Sequence, residues 1–386
     1  MTHLRSPVPI QDEPAKVVTK PSAEQSSASH LKVAVRPWWH DNPYQKLLAE
    51  HLEKLGVEVK GVGSQTHLPL SEGKLDILHL HWLHPVFLAP SLLESVINLI
   101  KFVSGLVILR VMGTKIVWTA HNLKDHESRY SRLDYLCTKL VTRLSHRIIA
   151  HGEVAKQEIA KAFQMKSDAF GGSRSDHRKI SVVPHGSYIG CYDNEISSIE
   201  ARNALGLSES SFVLLFLGSI RPYKGVLELI AGFKQLQHPN LQLVIAGKPF
   251  DEETPVLIEQ AIAGCDDIKF IPGFVPDSQI QVYMNACDVV VFPYRDILTS
   301  GAVLLAMSFG RACIAPRKGC IRETLDDSGA FLYDPAIESG LLQAMNQAIQ
   351  KRAELSRMGE HNHQLAEQWN WHRIAELTLN VYQSCL

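Results

Sequence analysis

From residue 31 onward, short apolar runs rich in β-branched residues alternate with stretches of helical periodicity. LKVAV is followed by YQKLLAEHLEKLG, then come DILHLHW, KIVWTAH, RIIAHG with EVAKQEIAKAF, and KISVVPHG. Runs that are apolar throughout belong to strands covered on both faces, and strands separated by helices are joined by crossovers, so a parallel sheet is predicted. The Ser/Glu-rich segment SYIGCYDNEISSIEARNALGL, residues 187–207, breaks the alternation and reads as an interdomain connection. A second series follows: SFVLLFLG, LELIAGFKQL, LQLVIAG, IKFIPGFV, the helix SQIQVYMNAC, the strand DVVVFP, a helix opening at Thr299-Ser300-Gly301, and CIAP. The last segment, HNHQLAEQWNWHRIAELTLNVYQSCL, keeps the helical period with no strand after it. The predicted fold class is therefore α/β, with two Rossmann-like, doubly wound parallel-sheet domains facing a cleft and a C-terminal helix packing back on the N-terminal domain. The expected boundaries are a disordered tail 1–30, an N-terminal domain 31–190, a linker 191–207, a C-terminal domain 208–365, and a crossing helix 366–386.

A length of 386 residues agrees with two cores. A net charge of −1 argues against general attraction to nucleic acid, which is not expected as a partner. The seven cysteines are scattered, without a C-x-x-C pair, so neither a disulfide framework nor a zinc knuckle is supported and a cytoplasmic setting is expected. Residues 1–30, rich in Pro, Ser, Gln and Lys without an apolar core, lack the features of a secretory signal. The most membrane-like stretch is 85–113, but Glu94, Lys101 and Arg110 interrupt it, so it is not expected to span a bilayer. Leu92, Leu93, Val96, Leu99, Ile100, Val103 and Val107 have helical spacing there. Such a helix either covers the sheet or turns a face to a membrane or a lipid-linked substrate, a peripheral contact at the inner face of the membrane.

Ligands of open α/β sheets collect beyond the carboxyl ends of the strands, and those positions are strongly polar in this chain. There is no G-x-G-x-x-G after a first strand and no G-x-x-x-x-G-K-[ST], so dinucleotide redox chemistry and P-loop hydrolysis lose their usual supports. In GSIRPYKG, Gly218, Arg221, Lys224 and a second glycine precede a helix; two cations beside unpaired helical N–H groups form a receptor for phosphate oxygens. Thr299, Ser300, Gly301 and Ala302 open another helix in the same half, and two such mouths suit a diphosphate. In the first half, AHNLKDHE supplies His121, Asn122, Asp125 and His126 within one loop. His121 at a strand end either hydrogen-bonds or exchanges a proton with a sugar hydroxyl, or serves the fold. His151 and His185 also lie at strand ends, where a structural bond to a neighbouring loop is as good an account. Trp38, Trp39 and Trp82 either stack on a sugar or are half-buried aromatics. No metal-ligand spacing is present, so no metal and no cofactor is expected.

GSIRPYKG, LVIAGKP, the run from FIPGFVPDSQ through FPYRDILTSGAVLLAMSFGRACIAPRKGCIRE, and PHGSY resemble the GT-B superfamily of nucleotide-sugar-dependent glycosyltransferases, nearest to glycosyltransferase family 4. The resemblance covers roughly residues 31–380 and is densest in the second half. It implies a nucleoside diphosphate sugar held by the C-terminal domain and an acceptor held by the N-terminal one. Arg221 and Lys224 match the family's basic pair, although Ser219 stands where many members carry the Arg. His121 matches the histidine that contacts the transferred sugar, and Gly301 with its neighbours the backbone beneath the phosphates.

One departure concerns the Glu-x7-Glu of family 4, whose columns here hold Ile297 and Leu305. Asp296 is the expected stand-in for the first carboxylate, and Glu323 in GCIRE the expected carboxylate of the donor site. His121, Asp125 and His126 are the candidates for proton transfer with the acceptor hydroxyl. The reading is metal-independent transfer of a hexose, such as mannose or glucose, to a glycan, glycolipid or exopolysaccharide precursor. A sugar-nucleotide epimerase and a non-catalytic nucleotide-sugar-binding subunit are the alternatives.

Overall fold

Each strand series closes into its own six-stranded sheet, and in both sheets every neighbouring pair is parallel. The computed structural model describes residues 31–64, 74–123, 130–165 and 179–386. The tail 1–30, Asp125 and His126 lie outside the described residues. The first unit runs β1 (Lys32–Arg36), α1 (Pro43–Lys54), β2 (Glu58–Gly61), β3 (Ile77–Leu80), α2 (His84–Phe87), α3 (Leu92–Val111), β4 (Lys115–Thr119), α4 (Ser131–Leu144), β5 (Arg147–Ala150), α5 (Glu153–Ala162) and β6 (Ile180–Val182). After α6 (Ser198–Ala204) the second unit runs β7 (Phe212–Leu217), α7 (Val226–Phe233), β8 (Leu241–Gly247), α8 (Glu253–Ile262), β9 (Ile268–Pro272), α9 (Ile280–Ala286), β10 (Val289–Val291), α10 (Gly301–Ser308), β11 (Ala312–Pro316), α11 (Ile321–Thr324) and β12 (Ala330–Tyr333). Helices α12 (Gly340–Gln350), α13 (Leu355–Glu367) and α14 (Trp371–Gln383) complete the chain.

The central strands are buried from end to end, as in FVLLFL of β7 and ACIAP of β11, because helices cover both faces. Periodicity did not single out β2 and β12, which are edge strands; β2, EVKG, is mostly exposed. The strand orders are β2-β1-β3-β4-β5-β6 and β12-β11-β10-β7-β8-β9. The order therefore reverses between β1 and β3 in the first sheet and between β7 and β10 in the second. Crevices form at such switch points because the loops leaving adjacent strands run to opposite faces of the sheet.

Two segments differ from their sequence reading. The expected linker contains α6, started by a capping box of Ser197 and Glu200. Ala201 and Leu207 join the second core, and Arg202 is tied to Asp288 at 2.8 Å, so this stretch is packed against the C-terminal unit. The terminal helical period is divided at Asn370, whose extended backbone and side chain cap α14. Only α14 crosses back: Trp371, Ile374, Val381 and Tyr382 share a core with Val33, Tyr44 and Leu52. Helix α3, expected as a helix that does not span a bilayer, is a continuous 20-residue helix, long and apolar enough by length and composition to cross a membrane. It lies instead along the sheet, burying Leu99, Phe102, Leu106 and Leu109 while Leu93, Ile100 and Val111 face outward.

A candidate active site between the two switch points

The loops after β7 and β10 flank the second switch point, and those after β1 and β3 flank the first. They meet across the interdomain cleft. A pocket of about 250 Å³ there is lined by Tyr44, Trp82, His121 and His185 from one side and by Lys224, Thr299, Ser300, Gly301 and Ala302 from the other. Beside it, a cavity of about 540 Å³ is formed largely by the second unit, including Gly218, Lys248, Phe274, Val275 and Gly301. A third, of about 680 Å³, runs outward between Trp39, Trp82, His84 and Leu88 on one wall and Arg221, Tyr223 and Phe250 on the other.

On the C-terminal wall, Ser300 caps α10 by accepting a hydrogen bond from Val303 N at 3.3 Å. The N–H groups of the first turn have no helical acceptor behind them, which leaves a partial positive charge at the pocket. Space is tight at Gly301: a Cβ there would stand 3.1 Å from the Tyr188 hydroxyl, so that the tyrosine would have to give by a few tenths of an ångström. The Lys224 ammonium donates to Ser219 Oγ at 3.1 Å and lies beside Gly218. Gly218 in turn has a positive φ of 134°, and its carbonyl passes so close to Gly247 that a Cβ on the latter would overlap it. Backbone and lysine are thus held close together at the end of β7.

Arg221 separates from Lys224. Its guanidinium lies over the Phe250 ring, 4.7 Å from the centroid, and lines the outer cavity. Asp296 forms an ion pair with Lys318 at 3.5 Å, whereas its neighbour Ile297 lines the central pocket. Glu323 is an interdomain contact: its Oε1 accepts from Val154 N at 2.9 Å. It thereby caps α5, whose own N-cap, Gly152, has no side chain to do so. A Cβ on Gly152 would overlap Glu323 Oε2. Thr299 also bridges the domains, its hydroxyl donating to the His121 carbonyl at 3.1 Å. Lys224, Thr299, Ser300, Gly301, Ala302 and His121 are therefore brought together; Gly218 and Arg221 flank them in adjoining cavities, and Asp296 and Glu323 face other partners.

The N-terminal wall contains an array of buried histidines. His81 Nδ1 meets His121 Nε2 at 3.0 Å, His121 Nδ1 meets His151 Nε2 at 3.3 Å, and His151 Nδ1 meets the Val183 carbonyl at 3.0 Å. The carbonyl can only accept, so in neutral rings each Nδ1 carries the proton and each Nε2 accepts. The chain is directional, and it ends at His81 Nε2, a buried atom with no hydrogen-bond partner among the described residues. Burial holds these rings neutral: it lowers the His81 and His121 pKa well below the ordinary value and pushes that of His151 to about 4, with neighbouring imidazoles adding to the effect at His81 and His121. His121 is also stacked on Trp82, with centroids 4.1 Å apart. Both its nitrogens are committed within the chain, so a proton passed to it must displace His81 or His151. His79 bridges Tyr382 and Thr119 at 2.7 Å each, joining the array to α14. Among the described residues no group of three or more His, Cys, Asp or Glu is arranged to hold a metal ion.

Sequence reasoning did not assign Tyr44 or Tyr188 to the site and left His185 open between a role there and a structural bond to a neighbouring loop. The signal for His185 was its place directly after a strand; its direction was not legible.

Residues 197–365 match the family model described as glycosyl transferases group 1. The chain is 28% identical over 323 residues to a GDP-mannose:glycolipid 4-beta-D-mannosyltransferase of Xanthomonas campestris pv. campestris, covering 81% of each chain. It is 28% identical over 229 residues to a lipopolysaccharide 1,2-N-acetylglucosaminetransferase of Salmonella typhimurium, covering 54% of this chain and 57% of that protein. The fold resembles sucrose-phosphate synthase from Thermosynechococcus elongatus, with a TM-score of 0.70 at 15% identity over 92% of this chain and 99% of the other. It also resembles Anabaena HepE in complex with UDP and glucose, with a TM-score of 0.69 at 18% identity over 92% of this chain and 100% of the other.

Proposed function

We propose that the chain is a GT-B glycosyltransferase that moves a hexosyl group to a glycolipid or glycan acceptor, and that its donor is a nucleoside diphosphate hexose bound across the three cavities. The observation that carries this reading is the meeting of both switch points around one pocket, with Lys224 and the α10 N-terminus on one wall and His121 on the other. The nucleoside occupies the larger cavity of the second unit, near Phe274 and Lys248. The diphosphate lies against the N–H groups of Gly301 and Ala302 with Lys224 beside it, and the hexose points toward Trp82, His121 and Asn122. As the glycosidic bond breaks, charge grows on the leaving diphosphate. Fixed N–H dipoles and an ammonium stabilise it there without reorganising, so we assign this task to protein groups and not to a divalent metal.

Acceptor entry follows the outer cavity, where Trp39 and Trp82 suit a sugar face and Leu88 and Phe250 an apolar neighbour. The Xanthomonas relative uses GDP-mannose and a glycolipid. We infer a lipid-linked acceptor for this chain too, with the outward apolar face of α3 resting on the membrane surface that presents it. The decisive measurement is calorimetric titration with GDP-mannose, UDP-glucose and ADP-glucose. One should bind, and Lys224→Ala should weaken that ligand by about 1.5–3 kcal/mol, the range for hydrogen bonds to charged groups. Equal affinity in the variant would remove the diphosphate from this pocket.

A further inference from the structure

His185 lies between the histidine array and the phosphate wall, in the loop after β6. Its Nδ1 is 2.8 Å from the Gly186 carbonyl, which can only accept, so Nδ1 carries the proton and Nε2 holds a lone pair. That Nε2 has no hydrogen-bond partner among the described residues. It is aimed at the first turn of α10, 3.6 Å from where a Cβ on Gly301 would be. The ring cannot turn freely: Tyr44 packs on it at 4.7 Å between centroids, with His151 at 5.4 Å, Tyr188 at 5.6 Å and Trp371 at 6.1 Å.

A lone pair pointed at a phosphate oxygen is repulsive, whereas an N–H in the same place is a charge-assisted donor. We propose that His185 takes up a proton at Nε2 when the diphosphate of a sugar nucleotide docks at the start of α10, changing from an acceptor into a phosphate ligand. The inference rests on the assignment of the diphosphate to this pocket. The groups around His185 set the direction of the change. Lys224 lines the same pocket, and His151 and His121, after β5 and β4, are imidazoles that oppose a further positive charge. Tyr44 and Tyr188 are neutral hydroxyls, their ionisation pushed up by burial. Glu153 and Glu323 share the cavity on the far side of His185, and Glu323 is engaged with the α5 N-terminus. In the unliganded cleft, burial and His151 hold the His185 pKa down at about 3. A bound diphosphate brings two negative charges to within hydrogen-bonding reach and reverses that balance. Proton uptake stores an imidazolium beside the leaving group before the glycosidic bond breaks.

A sugar nucleotide is a diphosphate diester that does not itself titrate near neutral pH, so the linkage can be read directly. GDP-mannose and UDP-glucose are titrated calorimetrically from about pH 5.5 to 8.5 in buffers of different ionisation enthalpy, a range in which only perturbed groups and histidine change charge. The expected result is uptake of up to about one proton per ligand, with affinity falling toward a limit of about tenfold per pH unit as pH rises toward the bound-state pKa and levelling above it. His185→Gln should bind more weakly at low pH and show neither uptake nor slope. Binding by the unaltered protein without proton uptake overturns the inference and leaves the donor-site reading standing, as does uptake that persists in His185→Gln. Failure of every sugar nucleotide to bind overturns both. The buffer series on the unaltered protein decides the matter even if the variant does not fold.

Discussion

Asp296 and Glu323 were expected to replace the missing carboxylates of the donor site, and each faces another partner: a lysine of its own domain for one, a helix N-terminus of the other domain for the second. Sequence shows that an acidic residue is near a strand end; it does not show which way the side chain leaves the loop. His185 shows the converse. Its type and position were visible, but its orientation depends on the Gly186 carbonyl and on Tyr44, which comes from a helix more than a hundred residues away. The Glu323 placement has a measurable consequence. Glu323→Ala should lower stability by roughly 0.5–1 kcal/mol, as loss of a helix cap does, and should change sugar-nucleotide affinity less than Lys224→Ala. A larger loss of affinity than of stability would return Glu323 to the donor site.

Among the elements, α10 was the most legible, because Ser300 before an apolar run carries its own start signal and the structure begins the helix at Gly301. Helix α6 was lost in a polar stretch: only seven residues long, it is held by its capping box and by packing onto the second unit. For α3, helical period and length were readable, while the division between a buried and an outward face required the sheet. Leu93 is 71% and Ile100 60% exposed, so charges there should leave the fold intact. Leu93→Glu together with Ile100→Glu is expected to reduce sedimentation with anionic phospholipid vesicles by about tenfold or more, since inserting even one such side chain is worth roughly 1.5–3 kcal/mol. Unchanged partitioning would show that this face rests on something other than lipid.

At the scale of the whole molecule, neutral buried imidazoles link stability to pH. His79 and His185 are held down at about 3 and His151 at about 4, so between these values and the ordinary pKa near 6.5 the unfolded chain binds more protons than the native one. Stability should therefore be greatest above about pH 6.5 and fall as the solution is acidified toward pH 4, at up to about 1.4 kcal/mol per pH unit for each histidine. Thermal unfolding followed across that range checks this, and a melting temperature that does not fall on acidification would mean that the array is charged or solvated. Local chemistry along the chain determined two parallel α/β units, the helix opening at Ser300, and a basic glycine loop after β7, because periodicity, capping and phosphate-binding composition act over a few neighbouring residues. Tertiary structure alone decided that the two switch points meet, that His79 and His81 of β3 and its end gather with His121, His151 and His185 from the ends of three other strands, and which partners Asp296 and Glu323 take. Those outcomes depend on strand order and side-chain direction, and no short window of sequence contains either.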